Sequence, residues 1–268
     1  DLLSKNDKPF FLAIGLIKPH LPFGVPEHYL KYYDDVEIPA SPHTNKPKGK
    51  TTWHGSAEFM NYNRWDKDPN IDKEFALRLK RYYAACVSYA DKHVGDIIKK
   101  LRQTGADKNT IVVLWGDHGW HLGEHAIWGK HSLFEESLRS PLIIYDPSMT
   151  GKGQKSDAIV ESVDVFPTLC ELTDLPTPNF TKGTSLIPIL KDAKASGHEA
   201  VAIKAHTTTI RTGQYRLVQH KSGEVELYDH NTPEGEVLNI AEDHPETVRR
   251  LKKLIIGKMG KKAFVFAD

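Results

Sequence analysis

Asp117, His118, His121, Glu124, His125, Lys130 and His131 crowd one stretch of the chain, interleaved with Gly116, Gly119, Gly123 and Gly129. Carboxylate, imidazole and ammonium groups among glycines are the material of a metal or oxyanion site. The stretch follows directly on Thr110-Ile111-Val112-Val113-Leu114-Trp115, an apolar run of strand length. Open α/β sheets place their ligands at the ends of such strands.

Two metal chemistries compete for these residues. His121-Leu122-Gly123-Glu124-His125 matches the spacing of an inverted zinc-peptidase motif, which needs both imidazoles on one face of a helix. Gly123 interrupts that helix, and each interior glycine costs about 1 kcal/mol, so the helix and the peptidase reading are both disfavoured. The better fit seats a cation on Asp117 and His118 at the strand's end, with Gly119 allowing close backbone approach. Lys130 then returns to the same pocket as a fixed positive charge. A cation and an ammonium together suit a multiply charged oxyanion, one polarising an oxygen and the other neutralising its neighbour. A surface loop that merely happens to be rich in histidine is the plain alternative.

The elements that must position this stretch are legible around it. A helix is expected from Ile71 to about Gln103, because Phe75, Leu79, Tyr82, Cys86, Ala90, Val94, Ile97 and Leu101 form one apolar stripe, with Gly105 as its stop. Helix, turn and the strand at 110–115 read as half of a parallel α/β unit, with a further strand at Pro141–Tyr145. Phe10 to Ile17 is a continuous apolar run that reads as a strand buried on both faces. An interior strand this early predicts a piece of a longer protein. Pro26 opens a short helix through Tyr33, and an irregular excursion runs from Asp34 to about Asn70, where Trp53, Gly55 and Trp65 are expected to shape a binding pocket. Farther on, a helix at Asp164–Thr173, a hairpin of Tyr215–Val218 and Val225–Tyr228 turning at Lys221-Ser222-Gly223, and a closing helix at Pro245–Lys258 are predicted. The fold class is thus an α/β, parallel-sheet core over residues 1–195 with a small antiparallel α+β unit over 196–268.

Composition narrows the function. Lys+Arg 36 against Asp+Glu 35 leaves a net charge of +1, which supplies no bulk attraction to nucleic acid. No apolar run reaches the roughly 18 residues of a membrane span. Cys86 and Cys170 are too few for a disulfide framework and too isolated for a structural zinc site.

Gly116-Asp117-His118-Gly119 followed by Leu122-Gly123-Glu124-His125, Trp128, Lys130 and Pro141-Leu142-Ile143 resembles the C-terminal half of a type I sulfatase active site, iduronate-2-sulfatase-like, in the alkaline phosphatase superfamily. Pro9–Gly15 and Lys18-Pro19-His20-Leu21-Pro22-Phe23 resemble the strand and loop that carry this family's substrate-facing histidine. The resemblance implies a sulfuric ester hydrolase acting on a sulfated sugar, such as a 2-O-sulfated uronate. It implies Asp117 and His118 as ligands of one Ca2+, Lys130 as a sulfate ligand, and His20 as a sulfate ligand or the acid that protonates the departing alcohol. His125, His131 and Trp128 become either sugar contacts or loop packing. It further implies the periplasm, the extracellular space or the lysosome as compartment.

One departure is large. The family's nucleophile is a formylglycine made within a Cys-x-Pro-Ser-x-Arg type motif, and neither Cys86-Val87-Ser88 nor Cys170-Glu171-Leu172 has that context. The paired aspartates that complete the calcium site are also absent. The expectation is that the missing N-terminal half of the same protein supplies these groups and that the 268 residues alone are inactive. A phosphomonoesterase or phosphodiesterase of the same superfamily, and a non-catalytic paralogue that kept the pocket, are the alternatives.

Overall fold

A computed structural model describes residues 8–47, 58–149 and 153–260. The backbone of its first part is α2 (Lys73–Gln103), preceded by the single-turn α1 (Glu27–Lys31). The Asp72 carboxylate caps α2 by accepting from the Phe75 amide at 2.9 Å, and Gly105 ends it in the left-handed conformation at φ 72°. Both ends fall within two residues of the predicted ones. The stripe does its expected work: Phe75 and Cys86 are buried with Leu21, Phe23, Phe59 and Trp128 in one apolar cluster. That cluster holds three otherwise unrelated pieces of chain against one helix: the 18–25 loop, the turn at Phe59–Asn61, and the segment around Trp128.

β1 (Val112–Trp115) and β4 (Leu142–Tyr145) form where predicted. Their pairing is antiparallel, with Leu114 opposite Ile143, and not the parallel arrangement expected of this core. Trp115 and Ile143 are about half exposed. The Phe10–Ile17 run departs further. It forms no strand, and Phe11 and Ile17 are 84% and 80% exposed. An extended apolar segment becomes a buried strand only when neighbours satisfy its backbone and cover its side chains, and no described strand pairs with it.

Between β1 and β4 lie the two-residue strands β2 (His121–Leu122) and β3 (Trp128–Gly129), paired with each other, and the short helix α3 (Glu135–Leu138). Gly119 is required here, because a Cβ on it would lie 2.0 Å from the Glu136 carbonyl oxygen. The close approach expected of this glycine is therefore made to α3, and the Gly119 amide donates to Ser137 O at 2.8 Å.

The predicted helix at 164–173 is α4 (Val165–Leu172), followed by α5 (Ile187–Lys191). An antiparallel sheet follows, in the order β5 (Ala200–Lys204), β6 (Thr207–Arg211), β7 (Tyr215–His220), β8 (Val225–Asp229), then α6 (Pro245–Met259). The hairpin turns where predicted, with Gly223 at φ 95°. Ile210, Leu217 and Leu227 face Val248, Leu251 and Ile255 of α6. On the opposite side Val218 and Tyr228 meet Ile127, Leu133 and Phe134, so the sheet is covered on both faces and its alternation is lost from the burial pattern. Arg216, almost wholly buried, bridges Glu236 and Glu135 across that contact. Among the described residues no helix is long and apolar enough to cross a membrane.

Candidate functional site

The apolar cluster on α2 sets side by side three polar residues that are far apart in sequence. His20 precedes buried Leu21, Glu58 precedes buried Phe59, and Lys130 stands two positions beyond buried Trp128. Each polar group is thus anchored through a neighbour in one core. The Lys130 ammonium lies 2.9 Å from His20 Nε2 and 3.3 Å from Glu58 Oε1. His131 Nε2 lies 3.5 Å from Glu58 Oε2, and His20 Nε2 is 3.7 Å from Glu58 Oε1.

The protons can be assigned from the partners. An ammonium only donates, so His20 Nε2 accepts from Lys130 and the ring proton sits on Nδ1, which donates to Leu21 O at 2.8 Å. The imidazole is neutral in this arrangement. Its side chain is 42% exposed, whereas those of Lys130 and Glu58 are 16% exposed, so the cluster opens to solvent on the histidine side. Lys130 also stands 5.7 Å from the centre of the Trp120 ring.

Asp117 and His118 sit beyond β1 as expected, just past Gly116, whose amide donates to Pro141 O at 2.9 Å. The Asp117 carboxylate is exposed, with Oδ2 3.6 Å from His118 Nε2. His118 Nδ1 donates to Gly119 O at 2.8 Å, which leaves the Nε2 lone pair on the side of the carboxylate. Two donors at that separation can share one cation, and a neutral imidazole with its other nitrogen tied to a carbonyl is the usual form of a metal ligand.

The remaining expected contacts divide. His131 stands beside Glu58 with its side chain 58% exposed. Trp128 is buried, and its indole N–H donates to Asn70 Oδ1 at 3.1 Å. His125 is buried too, stacked on Phe134 with 4.3 Å between ring centres. Both of these side chains are enclosed by neighbours and not open to solvent. Trp65 is exposed, and Trp53 and Gly55 lie outside the described residues. Glu58 went unread in the sequence: it falls in the irregular 34–70 excursion, where neither motif nor periodicity marks a single acid.

A second polar cluster lies behind the loop. His121 and His125 face Glu136 of α3, with one donor atom of each within 4.8 Å of the others. Burial holds both imidazoles down at about 4 and pushes the Glu136 carboxyl up to about 7.

Comparison with known proteins finds relatives of one family. The sulfatase family model matches residues 1–175, and the model of the C-terminal region of N-sulphoglucosamine sulphohydrolase matches residues 123–261. A sulfatase of Formosa agariphila is 30% identical over 245 residues, covering 89% of this chain and 47% of that protein. The iduronate 2-sulfatase of Mus musculus is 31% identical over 208 residues, covering 66% of this chain and 38% of that one. A protein solved in complex with its substrate D-glucosamine-2-N,6-O-disulfate superposes with a TM-score of 0.75 at 21% identity, over 90% of this chain and 64% of that one. That likeness shows the fold, α/β of the alkaline phosphatase type. This chain spans less than half the length of the two curated relatives described.

Proposed function

The chain belongs to the sulfatase family, and from that premise we propose that it supplies the sulfate-holding part of a sulfuric ester hydrolase acting on sulfated sugars. The observation that carries the reading is the contact of Lys130 with His20 at 2.9 Å. The sulfate group of an incoming ester, a monoanion, claims the Lys130 ammonium, which in the empty site donates to His20. Released from that bond, His20 Nε2 takes up a proton from solvent while Nδ1–H stays on Leu21 O, and delivers that proton to the oxygen of the departing alcohol. Glu58 keeps Lys130 and His131 oriented while the site is empty. In this reading His131, exposed beside Glu58, meets the sugar.

Asp117 and His118 fit a divalent cation by their spacing and by the tautomer of His118. Calcium takes oxygen ligands first, so Asp117 is the firmer donor, with further oxygens coming from outside this pair. When bound, the ion neutralises part of the sulfate charge.

The nucleophile of this reading, a formylglycine, comes from residues other than these 268. Cys86 is fully buried and burial raises its thiol pKa, while Cys170 is buried in α4, so neither is placed for attack. The preferred substrate class is a 2-O-sulfated uronate in a polysaccharide, after the iduronate 2-sulfatase relative, and the compartment is periplasmic, extracellular or lysosomal. Assay of the full-length protein on 2-O-sulfated uronate disaccharides tests the reading. Sulfate release that falls at least ~100-fold in Lys130→Ala supports it. Release that the substitution leaves unchanged contradicts it.

A further inference from the structure

We propose that His121, His125 and Glu136 form a second, buried metal site that takes a transition-metal dication of the zinc type. The site is separate from Asp117 and His118 and independent of sulfate binding. The sequence argued against a metal here because no helix could align the two histidines, and no helix does. Instead Gly123 at φ 109° and His125 at φ 56° turn the chain through left-handed conformations, which fold His125 back beneath His121. The ring centres end 5.7 Å apart. The acid is Glu136 of α3, not Glu124 of the motif, whose carboxylate is occupied by the Leu122 amide at 2.6 Å.

The hydrogen bonds leave this cluster short of protons. Ser132 donates its hydroxyl proton to Ser137 at 2.8 Å, so its oxygen accepts from His121 Nε2 at 2.8 Å. The lone pair of His121 is therefore on Nδ1. That nitrogen faces two oxygens, the Glu124 carbonyl at 3.2 Å and Glu136 Oε2 at 4.0 Å. His125 Nδ1 is 3.6 Å from the same Oε2, and both ring nitrogens of His125 are buried with no hydrogen-bond partner, as is Glu136 Oε2. Orphaned buried polar atoms of this kind cost about 1–3 kcal/mol each. A single cation takes up the lone pair of His125 Nδ1 and Glu136 Oε2 together. Bonds of about 2.0–2.2 Å to a tetrahedral zinc put ligand atoms roughly 3.3–3.6 Å apart, close to the observed separations. Two neutral imidazoles and one carboxylate, with the Glu124 carbonyl at the fourth corner, are a zinc donor set rather than a calcium one.

The test uses the full chain, stripped of metal with a chelator and titrated with Zn2+ as wild type, Asp117→Asn and His125→Gln. One zinc per chain that persists in Asp117→Asn and binds at least ~10-fold more weakly in His125→Gln is the expected result. Absence of zinc uptake by the wild type, or loss of zinc in Asp117→Asn alone, overturns the proposal. Zinc-edge X-ray absorption of the loaded wild type serves if His125→Gln does not fold. Two imidazole nitrogens in the first coordination sphere support the site, and one or none refutes it.

Discussion

The Nε2 atom of His20 accepts a hydrogen bond from Lys130 across 110 residues of sequence, at 2.9 Å. The bond says which proton each residue holds before a substrate arrives: Lys130 keeps its own, and His20 carries its single ring proton on the far nitrogen, toward Leu21 O. Lys130 is thereby read as the anion ligand and His20 as the group that becomes an acid once the anion has displaced it. The division of labour gives distinct expectations for the two side chains.

His20→Gln in the full-length protein should preserve binding more than turnover. A glutamine still meets the Lys130 ammonium but cannot deliver a proton. The loss in kcat is expected at about 100-fold for sulfate esters of sugar alcohols and at only a few-fold for an aryl sulfate with an acidic leaving group, which needs no protonation. Equal losses on both substrates would remove the acid role.

Gly119→Ala should unfold the loop that carries Asp117 and His118. A methyl group there meets the Glu136 carbonyl at 2.0 Å and the Arg139 carbonyl at 2.8 Å, both of them backbone atoms that cannot step aside. A destabilisation of at least ~2 kcal/mol in urea unfolding is expected. Gly95→Ala is the control, because nothing lies within 4 Å of its added carbon in the middle of α2, and it should stabilise the chain by about 1 kcal/mol. Equal behaviour of the two variants would show that the close packing under Gly119 is not real.

The metal-free chain should lose stability on acidification through a definite window. His121 and His125 titrate near 4 in the folded chain against 6.5 when unfolded, so their contribution is complete above pH 6.5 and disappears as the pH falls toward 4. Glu136 opposes them. Its folded value near 7 against 4.5 unfolded makes the folded state the better proton binder over nearly the same range. Two groups lose while one gains, so the net loss between pH 6.5 and 4.5 corresponds to one proton, of order 2 kcal/mol. Chemical unfolding at those two pH values measures it, and His125→Gln should abolish most of the difference. A stability that rises toward pH 4.5 would reverse the assignment.

What the sequence disclosed depended on how locally each feature is determined. The period of α2, the stop at Gly105, the hairpin around Gly223 and the stripe of α6 are all written in neighbouring residues, and they stand within two residues of expectation. Phe10–Ile17 failed because an apolar run says what it needs, not whether the need is met; in this chain its side chains lie open. The antiparallel pairing of β1 with β4 is a property of two segments together and leaves no trace in either. Lys130, Asp117 and His118 could be nominated by type and context, and His20 by its likeness to a family's loop. Glu58 could not, since only the shared core of Phe59, Leu21 and Trp128 brings it to Lys130. The meeting of His121 with His125 was missed for a related reason: spacing arguments presuppose a helix or strand, and a left-handed turn obeys neither period.

The most direct measurement is calorimetric titration of inorganic sulfate into wild type, His20→Gln, Lys130→Gln and the double variant. If one anion sits between these side chains, Lys130→Gln weakens binding at least ~10-fold, and the double variant is weaker by less than the sum of the single effects. Sulfate affinity that is unchanged in Lys130→Gln would contradict the account at its centre.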